Sequence, residues 1–282
     1  MQKEFSLSDV DGTFAAIYRR LAWPLFTRPG LVVSGLVGLA GVALFLRMLF
    51  AGTYPLLMTA GSYGLGLLVL LLANYIMIFF HECGHALTCK HYGRSILKGG
   101  MLFYYGSPAF FVDTTDIWMA PKAARIATSF AGVTADLVVG GLLIIVIALF
   151  PGLPVAALLF QAAAMAYLGV VMNLAPFMEL DGYFVLMDWL EIPLLRKKSL
   201  GFVRERLAKK LLRERTPFSR EERIFATYGL LTGTFTVLTV LLTIFLWQSQ
   251  VRGLVDAVLS GRDILGAVLA GGLVLMAGVP LT

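Results

Sequence analysis

The stretch YGLGLLVLLLANYIMIFFHECGHALTC, residues 63–89, decides the class of fold. From Tyr63 to Phe80 it carries no charge. A helix needs about 20 apolar residues to cross the hydrocarbon core of a bilayer, and this run nearly supplies them. It then ends in His81, Glu82 and His85, with Lys90 just beyond. Ionisable groups at membrane depth are costly and rare, so each is a functional candidate by default.

The rest of the chain agrees with a membrane environment. Of its 282 residues 59% are hydrophobic and 14% charged, and the mean hydropathy is +0.83. A water-soluble domain of this length would carry far more polar surface. The first residues, MQKEFSLSDVDGTFAAIYRR, read as something other than a secretory signal peptide, because they lack a continuous apolar core and a small-residue cleavage site. Two cysteines, Cys83 and Cys89, imply no disulfide framework.

Six stretches are apolar enough to span: Leu31–Phe50, Tyr63–Leu87, Ile126–Phe150, Pro154–Pro176, Phe225–Trp247 and Ile264–Val279. If the N-terminus is inside, 20 of the 23 Lys and Arg residues fall on inside segments, and only Arg47, Arg252 and Arg262 fall outside. The positive-inside rule therefore places both termini in the cytoplasm. It also explains the net charge of +6 without nucleic acid. Segment 196–223, RKKSLGFVRERLAKKLLRERTPFSREER, is the one long polar loop. Val203, Leu207 and Leu211 recur every fourth residue there, which predicts an amphipathic helix. It lies either on the anionic inner leaflet or in solvent.

In a helix, His81 and His85 sit one turn apart on one face and can hold one Zn²⁺. Glu82 beside them can take a proton from water activated by the metal. The bland reading is a pair of structural histidines bonded across helices. The third histidine, His91, lies off that face and reads as a surface residue. Cys89 is another turn along the His face, where packing is the simpler role. A catalytic zinc wants a third protein ligand and an open position. The segment NLAPFMELDGYF, 173–184, offers one. Asn173 and Pro176 break the fourth span, and Glu179, Asp181 and Gly182 follow. Broken backbone at membrane depth is tolerated where it lines a polar cavity. Either acid could ligate.

HECGH followed by NLAPFMELDG resembles the site-2 protease family of intramembrane zinc metalloproteases, whose pattern is H-E-x-x-H plus N-x-x-P-x-x-x-L-D-G. The resemblance covers about residues 60–190. YYGSPAFFVDTTD, 104–116, and the DGYF after the broken helix look closer to the bacterial peptide zinc metalloproteases of that family, some of which accompany peptide maturation or export systems. The resemblance implies one Zn²⁺ per chain, held by His81, His85 and Asp181. It makes Glu82 the general base, puts Asn173 toward the substrate, and leaves Glu179 behind the ligands or facing water. It also implies a membrane-spanning or membrane-associated peptide substrate and a bacterial plasma membrane. Two departures stand out. The second and third spans are separated by only about 35 residues, so no PDZ-like insertion is present. Asp136, in AGVTADL, stands where many relatives would have Asn. It either orients a ligand from behind or makes an ordinary helix–helix hydrogen bond.

The expected architecture is an all-α polytopic membrane protein with about six transmembrane helices, a three-helix catalytic core and a small membrane-associated β-hairpin in 99–116 around Gly106-Ser107-Pro108. The edge of that hairpin could pair with an extended substrate. The segments are 1–60, with the first span; 61–190, the core; 191–224, the basic loop; and 225–282, the C-terminal spans. The competing function is a metal-binding membrane subunit of a peptide export or maturation system, without turnover of its own.

Overall fold

A computed structural model describes residues 3–6, 9–104, 107–214 and 216–260. The chain is mostly helical with one small sheet. Its elements are β1 (Lys3–Ser6), α1 (Val10–Ile17), α2 (Arg28–Phe50), α3 (Tyr63–His91), β2 (Lys98–Tyr104), β3 (Ser107–Asp113), α4 (Lys122–Leu149), α5 (Ala156–Leu174), α6 (Asp181–Leu190), α7 (Leu195–Phe202) and α8 (Arg220–Ser260). Among the described residues, α2, α3, α4, α5 and the Arg220–Phe245 part of α8 are long and apolar enough to cross a membrane. These five helices mark the chain as a membrane protein. The expected span at 264–279 lies outside the described residues.

Helix ends follow local chemistry. The Thr27 hydroxyl accepts from the Gly30 N–H at 3.2 Å and starts α2, and the Ser62 hydroxyl accepts from Leu65 N–H at 3.3 Å and starts α3. α8 begins five residues earlier than the hydropathy pattern suggests. Ser219 and Glu222 make a reciprocal capping box: Ser219 N–H donates to Glu222 Oε2 at 2.8 Å, and Glu222 N–H to Ser219 Oγ at 3.2 Å. α3 runs past Leu87 to His91 because Lys90 has a partner, with Nζ 2.8 Å from Asp11 Oδ1.

Residues 3–173 form one compact unit and residues 174–253 a second. In the first, α4 packs against both α2 and α3 and is the most enclosed span, with 39% of its most apolar window buried against 17% for α2. Lipid offers no hydrophobic drive between helices, so close approach of backbones matters. A Cβ on Gly41 would lie 2.2 Å from Gly141 Cα, and one on Gly84 would lie 2.7 Å from the Ala131 carbonyl. Part of this core is aromatic: Phe45 meets Phe160 at 5.1 Å and Tyr167 at 4.8 Å between ring centroids. The α2–α3 connection is held by Gln161, fully buried, which donates to the Leu56 and Met58 carbonyls and accepts from the Thr59 hydroxyl.

The hairpin is present as β2 and β3, antiparallel, from Lys98 opposite Asp113 to Tyr104 opposite Ser107. Ser107 and Pro108, read from the sequence as part of the turn, belong to β3. A third strand, β1, pairs antiparallel with the other edge of β2, Lys3 opposite Phe103 and Ser6 opposite Gly100. A four-residue strand is too short to show a period in the sequence.

In the second unit, Tyr183, Met187, Ile192, Leu195 and Tyr228 pack together where α6, α7 and α8 meet. The Tyr228 hydroxyl donates to the Pro176 carbonyl at 2.6 Å. The basic loop is helical over Leu195–Phe202 and continues in π-helical turns at Val203–Leu207 and Lys210–Glu214. Its buried face is Leu195, Ser199 and Phe202. Val203 is half-buried, but Leu211, expected on the same stripe, is exposed. The wider π turns rotate it away from the face that packs.

Candidate metal centre

α3 sets His81 and His85 one turn apart, and their Nε2 atoms are 3.2 Å from each other. Each ring is pinned through its other nitrogen. His85 Nδ1 is 2.7 Å from the Thr128 carbonyl oxygen. A carbonyl only accepts, so Nδ1–H donates and the neutral ring keeps a lone pair on Nε2. His81 Nδ1 is 2.8 Å from Asp136 Oδ2, and the carboxylate fixes the same tautomer there. His81 and Asp136 are both buried. Two nitrogen lone pairs therefore face each other at a distance that suits a shared cation. Nitrogens bound at about 2.0–2.1 Å to one tetrahedral zinc lie about 3.3 Å apart.

α4 makes the room. Gly132 lies under the two rings: a Cβ there would sit 2.3 Å from His81 Nε2 and 2.6 Å from His85 Nε2. Thr128, Gly132 and Asp136 are spaced by four along α4 and form one stripe facing the pair. The sequence singled out Asp136 alone. Its spacing from Gly132 and Thr128 was the signal that could have found the other two. Asp136 makes a helix–helix hydrogen bond, and its partner is one of the two candidate ligands.

Glu82 is half-buried, and its Oε2 accepts from the Val112 N–H at 3.0 Å. This N–H points away from β2, because the neighbouring ladder bond runs from Leu97 N–H to the Asp113 carbonyl. So the outer edge of β3 reaches the acid between the two histidines. Among the described residues no strand pairs with that edge. Phe110, which shares the outward register, meets Phe79 of α3 edge to face at 5.3 Å.

The remaining predicted residues are placed one by one. Asn173 is half-buried in the last turn of α5. Residues 175–180 are not helical, as Pro176 and the following sequence suggested. Glu179 is exposed, 3.6 Å from Arg196 Nη1. Asp181 is the first residue of α6, where an acid is also favoured by the helix dipole, and its Oδ2 is shielded from solvent. Cys89 is fully buried with Val10, Ala86 and Ile96, and its thiol points to the Ser95 carbonyl. His91 is exposed, bonded to the Tyr18 hydroxyl and stacked on Phe26. An apolar groove of about 460 Å³ touches α3 at Cys83, Gly84 and Leu87, a face that holds neither His81 nor His85.

No protein-family model, no curated protein and no solved structure matches this chain. The functional reading therefore rests on the geometry and on the motif resemblance.

Proposed function

We propose that this chain is an intramembrane zinc metalloprotease that hydrolyses peptide bonds of membrane-spanning or membrane-associated peptides. One observation carries the reading: two imidazoles, each pinned through Nδ1, turn their Nε2 atoms toward each other 3.2 Å apart, and Glu82 lies between them in sequence. The lone-pair geometry and the gap left by Gly132 fit a zinc ion. His81 and His85 are two proposed ligands and Asp181, on the motif resemblance, the third, one ion per chain. Glu179 is the weaker candidate because it is exposed and faces Arg196.

When bound, zinc polarises the scissile carbonyl and lowers the pKa of water toward neutrality. Glu82 accepts a proton from the attacking water and later passes it to the leaving amine. The hydroxyl ends on the carbonyl carbon, the C–N bond breaks, and the products are a carboxylate and an amine. Asp136 and the Thr128 carbonyl hold the two rings in the ligating tautomer. The outer edge of β3 suits an extended segment, which a peptide bond must become to be cut. Asn173 is assigned a contact to the substrate on the motif alone. The Lys and Arg bias supports a site near the cytoplasmic face with both termini on that side, and the motif resemblance supports a bacterial plasma membrane.

Co-expression with membrane-anchored reporter peptides tests this. The expected result is a cleavage product that disappears in Glu82→Gln while zinc stays bound. Zinc bound at one per chain with no cleavage of any reporter by the wild type would favour a non-catalytic metal-binding subunit. Cleavage unchanged by Glu82→Gln would sink the mechanism.

A further inference from the structure

The basic loop has a surface that the proposed hydrolysis does not use. Residues 196–213 hold eight Lys or Arg and one acid, Glu205. One side of the helix is committed to the second unit. Leu195, Ser199 and Phe202 are buried, and Phe202 meets Phe218 and Phe225 at 6.4 and 6.3 Å. Lys210 is also committed: it pairs with Glu222 and lies 5.2 Å over the Phe218 ring. What remains outside is a mixture that a solvated helix has no reason to keep. Lys197, Lys198, Arg204, Arg206 and Arg213 are exposed. Leu212 is 78% exposed and Leu211 55%, adjacent to these cations.

Position in the chain narrows the partner. Only residues 215–219 separate this helix from α8, whose first 26 residues form a candidate span. The surface therefore lies next to the bilayer. Trp189, near the end of α6, and Leu194, the N-cap of α7, are 64% and 59% exposed. Tryptophan in the same stretch of sequence as cationic and aliphatic side chains is the composition of an interfacial segment. Cations immediately beside a span are drawn to anionic headgroups within a Debye length of the surface.

We propose that the 195–214 helix is an anionic-lipid-binding element. Its exposed Lys and Arg side chains engage phospholipid headgroups, and Leu211 and Leu212 enter the interface. The proposal is independent of the protease reading, since it uses none of the residues assigned to hydrolysis.

The test uses the full chain in nanodiscs of phosphatidylcholine, alone or mixed with phosphatidylglycerol. An environment-sensitive fluorophore is attached at Leu212→Cys, and wild-type protein carried through labelling gives the background from Cys83 and Cys89. The expected result is a blue-shifted emission and loss of quenching by neutral acrylamide in the anionic discs only. High salt should reverse both, and so should the triple variant Arg204→Glu, Arg206→Glu, Arg213→Glu. The same emission in both lipids overturns the proposal, whether the label is wet or buried. So does an anionic-lipid response that survives the triple variant. A fluorophore at exposed Lys198→Cys is the second reporter, should the Leu212 site perturb the helix.

Discussion

Asp136 and His81 stand 55 residues apart in sequence and 2.8 Å apart across α4 and α3, both buried. The carboxylate sets which nitrogen of His81 carries the proton, and so which nitrogen faces His85. Partners of this kind typically contribute 10–100-fold to metal affinity. Asp136→Ala should lower zinc affinity by roughly that factor, with a smaller loss for Asp136→Asn, which can still accept from Nδ1–H. Zinc content of purified protein against a series of chelator concentrations measures it. Unchanged affinity in the alanine variant would reduce the contact to helix packing.

Gly132→Ala should remove the metal without unfolding the protein. The added methyl would lie 2.3 Å from His81 Nε2, so one ring must move off the shared position. Gly35→Ala is the control: nothing lies within 4 Å of a Cβ there, and both residues are in helices. Zinc per chain, read beside thermal melting in detergent, separates the two. Equal zinc content in both variants would mean that the rings have more room than their contacts with α4 suggest.

Val112→Pro deletes the N–H that meets Glu82 while leaving the β2–β3 ladder whole, since that N–H points outward. A hydrogen bond to a charged group contributes about 1.5–3 kcal/mol, so cleavage should fall by roughly tenfold or more if the bond holds Glu82 in place. Zinc content should not change. An unaltered cleavage rate would show that the strand does not hold the base.

The contact between α1 and the end of α3 should be acid-sensitive. The Lys90 ammonium, and then the Ile96 N–H, hold the Asp11 carboxyl below its ordinary value. A folded pKa below the unfolded one gives stability that is present above the unfolded value, near 3.9, and lost as pH falls through the folded one. Asp11 is 42% exposed at its side chain, so the contribution is about 1 kcal/mol or less. Hydrogen exchange of residues 10–17 should rise below about pH 4. In Asp11→Asn the exchange should be faster at neutral pH and lose this acid step.

Gln161→Leu should destabilise the first unit by about 2–3 kcal/mol, because two backbone carbonyls and the Thr59 hydroxyl lose a partner in a buried place. A lowered melting temperature in detergent, with zinc affinity intact, is the expected outcome. A melting temperature equal to that of the wild type would mean that water takes over these bonds.

Five of the expected spans were legible because the bilayer imposes length and apolarity on a crossing segment, and both are written locally. The His pair was legible for the same kind of reason: spacing by four in a helix puts two side chains on one face whatever else the chain does. The hairpin showed through its aromatic stretches, although Ser107 and Pro108 belong to the second strand. β1 did not show, because strand pairing depends on β2 rather than on its own four residues. Leu211 is exposed while Val203, expected on the same stripe, is half-buried, because an ordinary helical period does not anticipate π turns.

By itself the sequence determined that the chain crosses a membrane and carries two imidazoles and an acid on one helix. Only the tertiary structure decided what stands behind them: the Asp136 carboxylate, the Thr128 carbonyl, the gap at Gly132 and the Val112 N–H. Period along one helix is a local property. Which residue of a second helix or strand meets it depends on crossing angle and axial offset, which backbone contacts such as Gly84 against Ala131 and Gly41 against Gly141 set.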